Sequence, residues 1–219
     1  MLLAEDLVLL LTDDKTGRPI VDQLRRDLVL SGAVVHQLTE LGRLRVTGRD
    51  EELRPGRLVV ADGSPTGDDL LDATLERLAG RKPEKPKNAL GGIGKGLYQR
   101  LLEHLAARGI LRLEVDRVLG LFPRTAWPAV DSTHEDGVRR GLSDVLVVGR
   151  TPTPHELTLI ALLDAVGQVP AVLPGSDVSR RELRRRARAV AEDGGFAATA
   201  VRKALDDALA ATTVVATSQ

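Results

Sequence analysis

Four aromatic side chains, Tyr98, Phe122, Trp127 and Phe196, are all that this 219-residue chain has for filling a core. The interior must therefore be built from Leu, Val and Ala, within an apolar share of 42%. Leu and Ala favour helices, whereas aromatic and β-branched residues drive sheets, so the expectation is a mostly α protein. The length suffices to bury a real core. No Pro/Gly-rich or charged stretch divides the chain convincingly. The reading is a single globular helical domain over 1–219, core about 4–210, with one or two small β-hairpins.

The order of elements follows from periodicity. Residues 2–11 are an apolar run, and "TDDKTGRP" is a turn. Val21, Leu24, Leu28, Val34, Val35, Leu38 and Leu41 recur at helical spacing, with Gly42 at the C-cap position. "RLRVTGRDEELRPGRLVV" alternates as a hairpin. Thr66 and Asp69 make a capped helix start, with Asp68, Asp69 and Asp72 where the dipole favours negative charge. "GRKPEKPKNALGGIGKG" reads as a basic Pro- and Gly-rich loop. A helix from about Leu97 to Ala107 ends at Gly109 and leads into strand-like alternation up to Pro128. Helices are expected over Glu135–Val148, Pro154–Val166, Ser179–Glu192 and Gly195 to about Ala211, with Pro170 and Pro174 in a loop.

Several functions are disfavoured on composition. With 31 basic and 31 acidic residues the net charge is zero, so any preference for nucleic acid or membrane must be local. Without cysteine there are no disulfides, thiol nucleophiles or zinc thiolates. The start "MLLAEDLVLLLTDD" lacks a basic n-region, and Glu5 and Asp6 interrupt its apolar run, so it does not read as a signal peptide. No apolar stretch is long enough to span a bilayer. The expected location is cytoplasmic, peripheral at most on the inner membrane face. Six lysines against 25 arginines suggest a high-GC bacterial coding sequence.

Chemistry-bearing motifs are few. "GGIGKG" (91–96) lacks the hydroxyl residue and preceding strand of a phosphate loop. Glycines entering a helix beside Lys95 can still form an anion site. From Glu76 to Arg100 there are seven basic residues against Glu76 and Glu84, a local surplus that an anionic surface would attract. "SRRELRRRARAV" puts Arg181, Arg184, Arg185 and Arg188 on one helical stripe and Leu183, Ala187 and Val190 on another, as a solvated face usually does. His36, His104, His134 and His155 form no close pair in sequence, "HELTL" lacks the second histidine of a zinc protease, and no G-x-S-x-G occurs. No enzyme activity, metal or cofactor is expected. Two helix–Gly–hairpin units outline a winged helix, but "DLVLSGAVVHQLTEL" is too apolar to read a DNA groove, so no nucleic acid is expected.

"AEDLVLLLTDDKTG", "SGAVVHQLTELGRLRV", "SPTGDDLLDATLERL", "LLEHLAARGIL" and "LGLFPRTAWP" together, in this order, resemble the Golgi phosphoprotein 3 family, of which this would be a bacterial, actinobacterial-type member. "PTGDDLLD" is the most specific single element. The resemblance implies a mostly helical domain with a protruding β-hairpin, here about Ile110–Pro128, and no catalysis. It also implies peripheral membrane binding through phosphatidylinositol 4-phosphate, and adaptor work on glycosyltransferase tails.

Carried over by position, the family's head-group tryptophan falls on Asp22, and its three arginines fall on Ser31, Lys95 and Tyr98. Only Lys95 stays cationic, and a phosphomonoester needs several converging charged donors. The expectation is therefore anionic head-group binding with relaxed specificity through Lys95, Tyr98 and Arg100, with Arg25 and Arg26 as compensating cations if they turn inward. Phe122, Arg124 and Trp127 mark the hairpin for membrane contact or homo-oligomer formation. Trp127 either faces outward or packs down onto the helical body. The alternatives are a soluble self-associating adaptor that binds no lipid and, third, a winged-helix nucleic-acid binder.

Overall fold

The computed structural model describes residues 1–13, 16–118, 122–192 and 195–216, with side chains at 116–124, 205 and beyond 207 outside the description. The apolar N-terminal run becomes α1 (Leu3–Leu10), all eight residues of which are buried. A two-residue ladder follows, β1 (Thr12–Asp13) against β2 (Arg18–Pro19). Helix α2 (Gln23–Glu40) is capped by Asp22, whose carboxylate accepts the Arg25 N–H at 3.0 Å. Its middle, residues 28–35, is wholly buried. The hairpin expected after Gly42 forms as β3 (Leu44–Val46) paired antiparallel with β4 (Leu58–Val60).

Helix α3 (Asp69–Ala79) starts differently from the sequence reading. Its N-cap is Asp68, which accepts the N–H groups of Leu70 and Leu71 at 3.0 Å. Thr66 instead bonds Asp72, its N–H and hydroxyl both reaching Oδ1 at 2.7 Å. Those bonds to the Thr66 hydroxyl and N–H outweigh burial and hold the Asp72 carboxyl below its ordinary range.

The larger correction concerns the expected loop at 80–96, much of which is helix α4 (Pro86–Gly94). Pro86 suits a first helical turn, and Ala89, Leu90 and Ile93 form a buried face. The glycines that argued for a loop are there for closeness. A Cβ on Gly94 would lie 2.8 Å from both the Asp27 carbonyl oxygen and Ser31 Oγ on α2. Tertiary packing thus overrides the low helix propensity of glycine.

Gly96, at φ +72°, turns the chain into α5 (Leu97–Ala107). Strands β5 (Glu114–Val118) and β6 (Phe122–Ala126) form the third antiparallel hairpin. Helix α6 (Thr133–Ser143) runs into a π-helical turn, Asp144–Val148. Then come α7 (Pro154–Ala165), α8 (Val169–Val172), α9 (Arg180–Ala191) and α10 (Gly195–Ala216). The short α8 occupies the loop expected around Pro170. On α9 the arginine stripe is exposed while Leu183 and Ala187 are buried. Glu182 binds Arg185 and Arg186, which hold its carboxyl down at about 2.

One apolar core joins the helices, with α1 packed among α2, α5, α6 and α7. Glycine geometry in α4 yields a paired test. Gly94→Ala is expected to cost about 1–3 kcal/mol through overpacking against α2. Gly91, whose Cβ would meet open space, is expected to gain about 0.5–1 kcal/mol as alanine. Urea unfolding of both variants measures the contrast.

Candidate anionic head-group site

The positions that the resemblance carries over lie on the first half of α2 and on the elbow between α4 and α5. Asp22 caps α2 and also pairs with the Arg25 guanidinium, so Arg25 is committed to a partly exposed ion pair. Ser31 is fully buried and donates its hydroxyl to the Asp27 carbonyl at 2.6 Å. It is the small residue against which Gly94 packs, and a long cation would not fit there without separating α2 from α4.

Arg26 does turn inward. Its guanidinium lies 3.9 Å over the Tyr98 ring and reaches Asp27 Oδ1 through Nε and Nη2 at 3.2 Å. The pair combines ring quadrupole and cation in a partly desolvated place. Burial pushes the Tyr98 hydroxyl up, against opposing contributions from a bond to Thr12 and the charge of Arg26. Tyr98 therefore stays a neutral donor through the physiological range. Lys95 ends α4, exposed, and no ion pair to it occurs among the described residues. Arg100 faces elsewhere, toward α3, in a cleft it shares with Ala73 and His104. The structure thus brings Arg26 onto Tyr98, leaves Lys95 exposed three positions before Tyr98 in the chain, keeps Arg25 on its own cap, and places Arg100 in a different cleft.

Trp127 is packed down, at 6% exposure. Its N–H donates to the Gly17 carbonyl at 3.1 Å. Gly17 has φ +59°, and a Cβ there would stand 2.4 Å from the Trp127 nitrogen. The turn between β1 and β2 therefore clamps the end of β6, and only glycine fits the clamp. Among the described residues of this hairpin, Leu113 and Val115 are apolar and exposed, by 53% and 62%. Sequence reading passed over both because they look like ordinary strand residues. The side chains of Phe122 and Arg124 lie outside the described residues.

The histidines, scattered in sequence, do meet in space. His134 and His155 place their Nε2 atoms 2.7 and 2.6 Å from the two oxygens of Asp6, which is 2% exposed. Glu5, wholly buried, receives Arg108 Nη1 at 3.0 Å on both oxygens. His104 Nδ1 stands 3.0 Å away from Glu5 without a bonding angle. Among the described residues no group of three ligating side chains is placed to hold a metal, and no helix is long and apolar enough to cross a membrane.

These features define a mostly α-helical protein with short two-stranded hairpins and a basic elbow at one end. The Golgi phosphoprotein 3 family pattern matches residues 3–208, and the chain belongs to that family. It is also similar to vacuolar protein sorting-associated protein 74 of Eremothecium gossypii, at 27% identity over 164 residues. That match covers 66% of this chain and 49% of the relative, so the chain spans about half the length of this curated relative.

Trp127 is the only tryptophan, so its fluorescence reports the clamp alone. Acrylamide quenching of the native protein is expected to be weak and to stay weak on adding vesicles. Gly17→Ala is expected to raise quenching toward the unfolded value and to cost more than about 1 kcal/mol of stability.

Proposed function

We propose that the protein is a non-enzymatic peripheral membrane protein that binds anionic lipid head groups at the α4–α5 elbow. The observation that carries this reading is the Arg26–Tyr98 stack at the start of α5, with Lys95, three positions earlier, exposed and without an ion pair among the described residues. The surroundings supply an apolar rim. Ile20, just before α2, and Leu24, in its first turn, are exposed large hydrophobics. The Gly17–Trp127 contact sets the same end of the molecule beside the hairpin that carries Leu113 and Val115.

Charge and apolar surface together suit a bilayer interface, where each basic residue contributes about 1 kcal/mol and apolar side chains add burial. Specificity for phosphatidylinositol 4-phosphate is not part of this reading, because Asp22 and Ser31 occupy family cation or aromatic positions and are used in capping and packing. Membership of the Golgi phosphoprotein 3 family and likeness to a protein named for vacuolar sorting support an adaptor role at membranes.

A second reading rests on Leu113 and Val115, which a second copy of the chain could cover as readily as lipid. Vesicle flotation separates the two. With anionic vesicles the wild type is expected to float, Lys95→Gln to bind about fivefold more weakly, and added salt to weaken both. Absence of flotation, with loss of an oligomer in Leu113→Asp by light scattering, would favour the soluble adaptor.

A further inference from the structure

Arg26 is already in contact with an acid of its own chain. Its Nε and Nη2 both reach one oxygen, Asp27 Oδ1, at 3.2 Å, and no other hydrogen bond of that guanidinium occurs among the described residues. Guanidinium–carboxylate pairs are strongest when two donors meet two oxygens, at about 2.7–2.9 Å. Consecutive residues of a helix do not face each other, which keeps this pair long and one-sided. The two side chains are 16% and 26% exposed, so water screens their attraction only in part.

Neither residue depends on the pair for its place. The Tyr98 ring, 3.9 Å from the guanidinium carbon of Arg26, holds the cation whether or not Asp27 does. Asp27 is placed by packing. A Cβ on Gly94, the residue before Lys95, would lie 3.2 Å from the Asp27 Cβ and 2.8 Å from its carbonyl oxygen. The second carboxylate oxygen of Asp27 takes only a long contact from Gln23 Nε2, at 3.5 Å. The other acid in the first turns of α2, Asp22, is engaged by the helix cap and by Arg25.

We propose that Asp27 is a built-in competitor at the anion site, its carboxylate occupying the Arg26 guanidinium until a phosphate group displaces it. This rests on the head-group reading, whose site it regulates. Displacement breaks two long hydrogen bonds to one oxygen. A phosphate oxyanion offers several acceptor oxygens in their place, at shorter range. Arg26 stays on Tyr98 throughout, so the cation is already positioned when the acid leaves it. Asp27 therefore sets the affinity of the site below what Arg26 and Tyr98 alone would give.

Flotation with phosphatidylcholine vesicles, with and without phosphatidylglycerol, tests this on the full chain. Asp27→Asn keeps the side-chain shape beside Gly94 and is expected to bind anionic vesicles about fivefold more tightly than wild type. Asp27→Ala is expected to act in the same direction, and thermal melts establish that each variant folds. Any acid near an anionic surface weakens binding a little, so the decisive comparison is made without Arg26. In an Arg26→Gln background, Asp27→Asn is expected to change binding by less than about twofold. An equal gain with and without Arg26 would reduce Asp27 to simple repulsion and overturn the proposal. So would the absence of any gain when the wild type floats, and both results leave the head-group reading standing. Titration calorimetry with inorganic phosphate separates the sources of the anion. An Arg26-dependent gain for phosphate without one for vesicles keeps the competition and assigns it to a soluble ligand. No flotation of wild type or variant, with no such gain for phosphate, would remove the head-group reading and the competition together.

Discussion

Two adjacent carboxylates on a helix with no exposed residue set the terms for the rest of the fold. Glu5 and Asp6 sit in α1, where water cannot solvate them, and an unpaired buried charge is too costly to keep. Their partners come from outside the helix: Arg108 from the end of α5, His134 from the first turn of α6 and His155 from the first turn of α7. Glu5 also accepts the Leu2 N–H at 2.7 Å, closing the start of α1 itself. Apolar packing alone would let α5, α6 and α7 slide on the smooth Leu and Val surface of α1. The ion pairs and hydrogen bonds fix one arrangement of these helices, much as a buried polar residue sets register elsewhere.

The second constraint is the close approach of α2 and α4. Gly94 against Ser31 and Asp27 leaves no room for longer side chains, so the elbow that follows is held firmly and Lys95 and Gly96 leave it in a fixed direction. This packing also explains the chemistry of the candidate site. Ser31, onto which the resemblance carries a family arginine, is buried and supports helix packing. The cation beside Tyr98 comes instead from Arg26, one turn nearer the start of α2.

Much of the fold was legible before any coordinates. Scarcity of aromatics pointed to a Leu/Val/Ala helical core, and α5 was read at about its observed bounds because Gly96 and Gly109 bracket an amphipathic period. The trace failed at α4, where Pro and Gly read as a loop. Local propensity cannot reveal that a neighbouring helix requires the missing Cβ at Gly94. It failed again at Asp6, whose partners lie 128 and 149 residues away. No periodic pattern announces a pairing at that separation. For the candidate site, motif alignment pointed to Lys95 and Tyr98 but not to what packs around them. The inward turn of Arg26, the commitment of Arg25 to its cap and the unpaired donors of Arg100 depend on side-chain packing that sequence spacing does not encode.

The claim that α1 organises its neighbours through these carboxylates is open to a direct measurement, native-state hydrogen exchange on Asp6→Ala. Loss of about 2 kcal/mol of global stability is expected. Exchange is expected to rise most in the first turns of α6 and α7, where His134 and His155 lose their acceptor, with α9 least affected. Uniform exchange across the helices, or protection at 133–136 and 154–157 unchanged from wild type, would contradict the account.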